Sequence, residues 1–188
     1  MTAEWVGALS NVATLAVILV TAIAAFVQLR HMRSGNQITA MNECRETLES
    51  PQFRAAQLFI LNELPKRLAD PVERRNAFHV PPIGEYEAIS QVGNVLEGLG
   101  LFVKTGILEA DFVCDYWAFL VLRSWRSVAP IIFRARRITG SDAILENFEY
   151  LAVLCEDYAR EHPSTYPSGV RRMPVDTSLI DEPALEDR

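Results

Sequence analysis

The chain has 188 residues and a mass of 21.1 kDa, room for one domain. Hydrophobic residues make up 49% and charged residues 22%, which excludes an intrinsically disordered chain. The formal net charge of -6 argues against general electrostatic binding to nucleic acid. Cys44, Cys114 and Cys155 lie too far apart for a disulfide framework or a paired-cysteine zinc site.

Val6 to Val27 contains no charged side chain. As a helix it rises about 33 Å at about 1.5 Å per residue, enough for a hydrocarbon core about 30 Å thick. A retained transmembrane anchor over 6–29 is the first reading. A buried core helix and a cleaved signal peptide with Ala22-Ile23-Ala24 at its cleavage site are the alternatives. Signal peptides begin with basic residues and have shorter apolar cores, whereas Glu4 is the only charge ahead of this segment. Arg30, His31 and Arg33 follow it. By the positive-inside rule, residues 1–5 are expected outside, with Trp5 at the outer interface and Arg30 and Arg33 at the inner one. From Ser34 on, 16 basic residues face 23 acidic ones, so an anionic leaflet repels the body and the anchor must hold it.

The remainder reads as helix. Ile38, Met41, Cys44 and Leu48 continue the membrane helix as a stalk, with Ser34-Gly35 a weak point. Ser50-Pro51 starts a helix that Pro65 is expected to close near Glu63. Residues 66–83 read as a loop, with a short helix opening at Asp70-Pro71. A long helix spans Gly84 to Lys104 and stops at Gly106; Gly93, Gly98 and Gly100 either permit close packing or kink it. The next begins near Glu109. It is apolar almost all round and therefore expected at the bundle centre, with Pro130 kinking or breaking it. Ser141 caps a last helix, Asp142 to Glu161. The expected core includes Phe53, Phe59, Leu96, Leu99, Phe119, Leu120, Phe148 and Leu151. Residues 162–188 have the proline and acid content of a disordered tail. The fold class is all-α: an N-terminal transmembrane helix continuing into a cytoplasmic bundle of four to five helices over 30–161.

Several residues recur together in a known pattern. They are Arg30-His31-Met32-Arg33, Asn36, Ser50-Pro51-Gln52-Phe53-Arg54, the segment from Val92 to Gly100 with Gly106, and Trp117 with Trp125. This resembles one of the bacterial families of single-pass membrane-anchored helical proteins catalogued as domains of unknown function. The resemblance covers most of 5–160 and implies architecture, since the family carries no assigned activity.

Catalytic signatures are thin. Gly98 to Thr105 imitates the end of a phosphate-binding loop, but Val103 stands where glycine is required and a helix precedes it. His31, His79 and His162 have no partner at i+4, and the Glu-x-x-His motif of di-metal bundles is absent. No cofactor is expected. Cys114 and Cys155 read as core. Arg123, Trp125, Arg126, Arg134, Arg136 and Arg137 form a basic strip, suited to phosphates, acidic headgroups or an acidic partner, or else to ion pairs within the bundle. The leading expectation is a membrane-tethered interaction module at the inner membrane, binding a protein partner or itself. Ala13, Ala16, Val20 and Ala24 offer a small-residue stripe for self-association. Alternatives are a ligand sensor or stress- or phage-response component signalling through an unbroken stalk, and an enzyme with an unrecognised site.

Overall fold

A computed structural model describes residues 3–175, and among them all regular structure is helical. Helix α1 runs unbroken from Ala3 to Glu49. The Ser34-Gly35 joint does not interrupt it. The side chains described before Ala40 are almost all exposed, including Leu15, Ile18, Ile23 and Phe26. This one helix is long and apolar enough to cross a membrane, and none of its most apolar window is buried in the protein. Among the described residues only its last turns pack on the bundle, through Ala40 and Leu48, with Met41 and Cys44 beside them.

Ser50 ends α1 and caps α2, Pro51–Leu58: its hydroxyl oxygen accepts from the Phe53 N–H at 3.2 Å, and Pro51 sits where a missing N–H costs nothing. Ser50→Ala is expected to cost about 1 kcal/mol in a thermal unfolding measurement; a loss below a few tenths would mean the cap is idle.

Pro65 does not close this helix. The chain widens into a π-turn, Phe59–Glu63, in which the Leu64 N–H reaches the Phe59 carbonyl, and continues as α3, Leu64–Ala69. Proline removes one donor and its ring strikes the carbonyl four residues back; the wider turn relieves that clash. Asp70 then caps α4, Pro71–Ala77, accepting from Val72 N at 2.7 Å and Glu73 N at 3.0 Å. The backbone donors of Glu73 and Val72 hold the Asp70 carboxyl below its usual range. A single 3-10 turn, Gly84–Tyr86, leads into α5, Glu87–Lys104.

Helix α6, Ala110–Thr139, runs through Pro130 without a break. Pro130 lies on the exposed side, as does Arg126 one turn before it, so water can serve the carbonyl that loses its donor. The last helix, α7, Glu146–Glu161, starts four residues later than the sequence suggests, after a turn in which Leu145 adopts a left-handed conformation at φ 54°. Ser141 therefore caps nothing.

The core joins Phe53, Ile60 and Leu64 to Val92, Leu96 and Leu99 of α5, Val113, Val121 and Val128 of α6, and Phe148 and Leu151 of α7. Phe59 and Leu120 are only half-buried, and Phe119 is 74% exposed. The all-round apolar α6 is thus not the centre of the bundle. It is an outer helix whose far side faces solvent, and α7 packs against both α5 and α6.

Glycine makes the α5–α7 contact possible. A Cβ on Gly100 would lie 2.0 Å from the Asn147 carbonyl oxygen, and one on Gly93 would meet the Leu145 side chain at 2.7 Å. Gly98 has open space. Glu97 completes the joint: its carboxylate accepts from Asn147 Nδ2 at 2.6 Å and from the Phe148 N–H at 2.8 Å. It does for α7 what Leu145, with no polar side chain, cannot.

Candidate interaction surface

The orientation of α6 follows from its neighbours. Its first turn, at Phe112, shares a cleft of about 230 Å³ with Gln37, Ile38, Met41 and Asn42 of the stalk. Further along, Gln57 Nε2 donates to Ser124 Oγ at 3.5 Å. Near the other end, Arg134 stacks over Phe78 at 5.2 Å. Helix α6 therefore starts beside the stalk and runs away from the apolar part of α1. Helix α7 returns alongside it: Glu149 pairs with Arg136, and Tyr158 donates to Asp115 at 3.3 Å.

On this helix Phe112, Tyr116, Phe119, Arg123, Arg126, Pro130, Arg134 and Arg137 succeed one another at intervals of three or four residues, and all are exposed. Such spacing places them on one face. The face begins with three aromatic rings, 52%, 57% and 74% exposed for Phe112, Tyr116 and Phe119, and continues with four guanidinium groups. From Tyr116 to Ser141 there are five arginines and no acidic residue, in a chain whose net charge is -6.

The structure divides the six residues of the basic strip. Arg136 is 8% exposed; it donates to the Ile144 carbonyl at 2.9 Å and pairs with Glu149 at 2.5 Å, so it is part of the α6–α7 joint. Trp125 turns inward and meets Phe148 edge-to-face at 5.1 Å. Arg123, Arg126, Arg134 and Arg137 remain on the outside. Arg123 lies over the Phe119 ring at 5.3 Å, and Arg126 makes a long contact of 3.8 Å with Glu156 in which both side chains are well exposed. Among the described residues no carboxylate pairs with Arg123, Arg134 or Arg137. Ion pairing inside the bundle thus accounts for Arg136 and in part for Arg126, not for the strip as a whole. An exposed pair of this kind contributes well under 1 kcal/mol. Of the interface anchors, Arg30 is exposed, whereas the side chains of Trp5 and Arg33 lie outside the described residues.

The other clusters fit structural roles. Cys155 donates to Cys114 across 3.5 Å in the core between α6 and α7. That hydrogen bond pushes Cys155 far up and draws Cys114 down. Burial pushes the Cys44 thiol up. No group of three or more metal-ligating side chains occurs among the described residues. Lys104 pairs with Glu146 at 3.3 Å, and the Thr105 hydroxyl donates to the Leu101 carbonyl, so the imitation of a phosphate loop is the end of a helix. A cleft of about 440 Å³ between α5 and α6 has apolar walls at Ile89, Ile131 and Ile144, with Glu97 at one side already engaged by α7.

An all-helical bundle on a long apolar helix, with an aromatic and basic outer face, defines the architecture. The chain belongs to the family described as a domain of unknown function, DUF4760, whose model matches residues 15–154. No curated protein and no solved structure matches it.

Proposed function

We propose that the protein is a membrane-tethered interaction module. In this reading residues 6–29 span the inner membrane with the N-terminus outside. The bundle is held at the cytoplasmic face, and the outer face of α6 docks an acidic segment of a protein partner. The observation that carries it is the outer face itself: an aromatic half and a basic half on one helix, clear of acidic residues along most of its length. Aromatic residues and arginine are the side chains most enriched in protein contact surfaces.

The geometry also weighs the occupants against each other. Two copies inserted in one membrane share an orientation, so their α6 faces would meet in parallel and set arginine against arginine. Self-pairing through this face is disfavoured. A lipid surface is disfavoured too, because α6 runs away from the apolar part of α1, and only its first turn lies near the stalk. An acidic polypeptide satisfies both halves of the face. Charge-assisted contacts with guanidinium groups are stronger than neutral ones, and they speed encounter as well as fix register.

The anchor is tested first. The protein is expected to stay in the pellet after an alkaline carbonate wash. Changing Leu19 and Ile23 together to Arg, at about 3 kcal/mol each near the membrane centre, should release it. A washed-off wild-type chain would remove the tether from the proposal. The docking face is tested by comparing gently solubilised membranes holding the wild type or the Arg123→Glu, Arg126→Glu, Arg134→Glu, Arg137→Glu chain. All four residues are exposed, so the bundle should fold in both. A stoichiometric partner that the reversed chain loses supports the face; eluates identical in composition and mass overturn it.

A further inference from the structure

The cleft of about 440 Å³ between α5 and α6 has the size of a small-molecule site, for which about 300–1,000 Å³ is usual. We propose that it binds a small apolar amine, with the apolar body against α6 and the ammonium group on Glu97. The proposal is independent of the docking face, none of whose residues lines this cleft.

The two helices give the cleft unlike walls. On α5, Ser90, Asn94 and Glu97 succeed one another at helical spacing, and all three line it. On α6 the lining is apolar: Ile131 and Ile132, both buried, and Ala135. Residues 80–82 and 143–145, outside the helices, complete it. Contacts hold both of these segments. His79 donates from Nδ1 to the Pro81 carbonyl at 2.7 Å, next to Phe78 under Arg134, and Arg136 donates to the Ile144 carbonyl at 2.9 Å. The site is thus formed before a ligand arrives, and little of the binding energy goes into ordering loops.

Charge selects the ligand. Among the described residues that line the cleft, Glu97 alone is ionisable. An ionised carboxylate has about four acceptor positions. Asn147 Nδ2 at 2.6 Å and the Phe148 N–H at 2.8 Å take two of them, so Glu97 retains capacity for a donor in the cleft. Ser90 Oγ and the Asn94 side chain have no partner among the described residues and offer further acceptors. Such a wall attracts an ammonium group and repels a carboxylate or phosphate. Arg136, next to Ala135, does not reverse this, because the Ile144 carbonyl and Glu149 engage it.

The test follows the isoleucine δ1-methyl resonances of the full chain in a zwitterionic lipid disc, with phenethylamine as the probe. Ile89, Ile131, Ile132 and Ile144 line the cleft, whereas Ile38 lies on the stalk and Ile60 in the core, so the methyl groups locate the probe. The four cleft signals are expected to shift saturably while Ile38 and Ile60 stay in place. Phenethyl alcohol, the uncharged isostere, should bind about tenfold more weakly, because hydrogen bonds between ionised groups are about twice as strong as neutral ones. Hydrocinnamate should shift nothing. Glu97→Gln keeps an acceptor for the Phe148 N–H and should erase the preference for amine over alcohol. Ala135→Phe should fill the cleft and abolish the shifts, with the Ile60 signal reporting that the bundle is folded. If that variant does not fold, Ser90→Lys excludes the probe by charge instead. Cleft methyls that do not move, shifts centred on Ile38, or equal binding of amine and alcohol overturn the proposal. An amine preference that survives Glu97→Gln overturns it as well.

Discussion

Gly100→Ala is expected to destabilise the bundle by about 3 kcal/mol or more, lowering the thermal midpoint by roughly 10 °C. The reason is an obstacle that cannot step aside. The added Cβ would sit 2.0 Å from the Asn147 carbonyl oxygen, which is backbone and belongs to the first turn of α7. Relief requires α5 and α7 to separate along the contact that holds Leu96, Leu99, Phe148 and Leu151 buried. Gly98→Ala supplies the control on the same helix. Its Cβ meets nothing within 4 Å, so it should gain up to about 1 kcal/mol from helix propensity. Thermal unfolding of both variants followed by circular dichroism decides the matter. If the two substitutions behaved alike, the close α5–α7 approach at Gly100 would be wrong.

Glu97→Ala is the second large effect, also near 3 kcal/mol. It leaves the Asn147 side-chain amide and the Phe148 N–H without their acceptor at a buried helix start. Unmade hydrogen bonds to an ionised group cost about 1.5–3 kcal/mol each. No substitute is at hand, because Leu145 precedes α7 with an aliphatic side chain. Glu97→Gln retains an oxygen for the Phe148 N–H. Its amide nitrogen then faces Asn147 Nδ2, and a half-turn of the Asn147 side-chain amide brings Oδ1, a buried atom without a partner in the wild type, round to accept from it. Most of the lost stability should therefore return in this variant. Equal losses for Ala and Gln would show that side-chain bulk, not hydrogen bonding, holds the joint.

Both effects concern a joint whose parts were visible in the sequence but whose meaning was not. Gly93, Gly98 and Gly100 stand out in α5 as helix-weakening residues, yet nothing local separates the one that touches backbone from the one facing open space. Glu97 reads as one acid among many on a solvated flank. Its role depends on Asn147 and Phe148, fifty and fifty-one residues away.

The outer face of α6 shows the same division. The spacing of Phe112, Tyr116, Phe119, Arg123 and Arg126 and the lack of acids between Asp115 and Asp142 are written in the chain. A helix apolar on every side gives no clue to which side is covered, so Phe119 reads as core although it is 74% exposed. Only the arrival of α7 on one flank, with Trp125 packed on Phe148 and Arg136 bonded to Glu149, leaves the opposite side to solvent.

What the sequence determined by itself is what local chemistry dictates. In lipid, an uncharged run of membrane length takes helical form, because a helix satisfies its own backbone groups. Ser50, Asp70 and Gly106 mark helix boundaries because each supplies a cap oxygen or a positive φ that its own neighbours require. The tertiary structure decided the rest: that the chain passes Pro65 by a π-turn and Pro130 on a wet face, that α7 waits until Glu146, and which arginines join helices and which face solvent. Those outcomes depend on what lies across the bundle, and no residue's own preference encodes its neighbour.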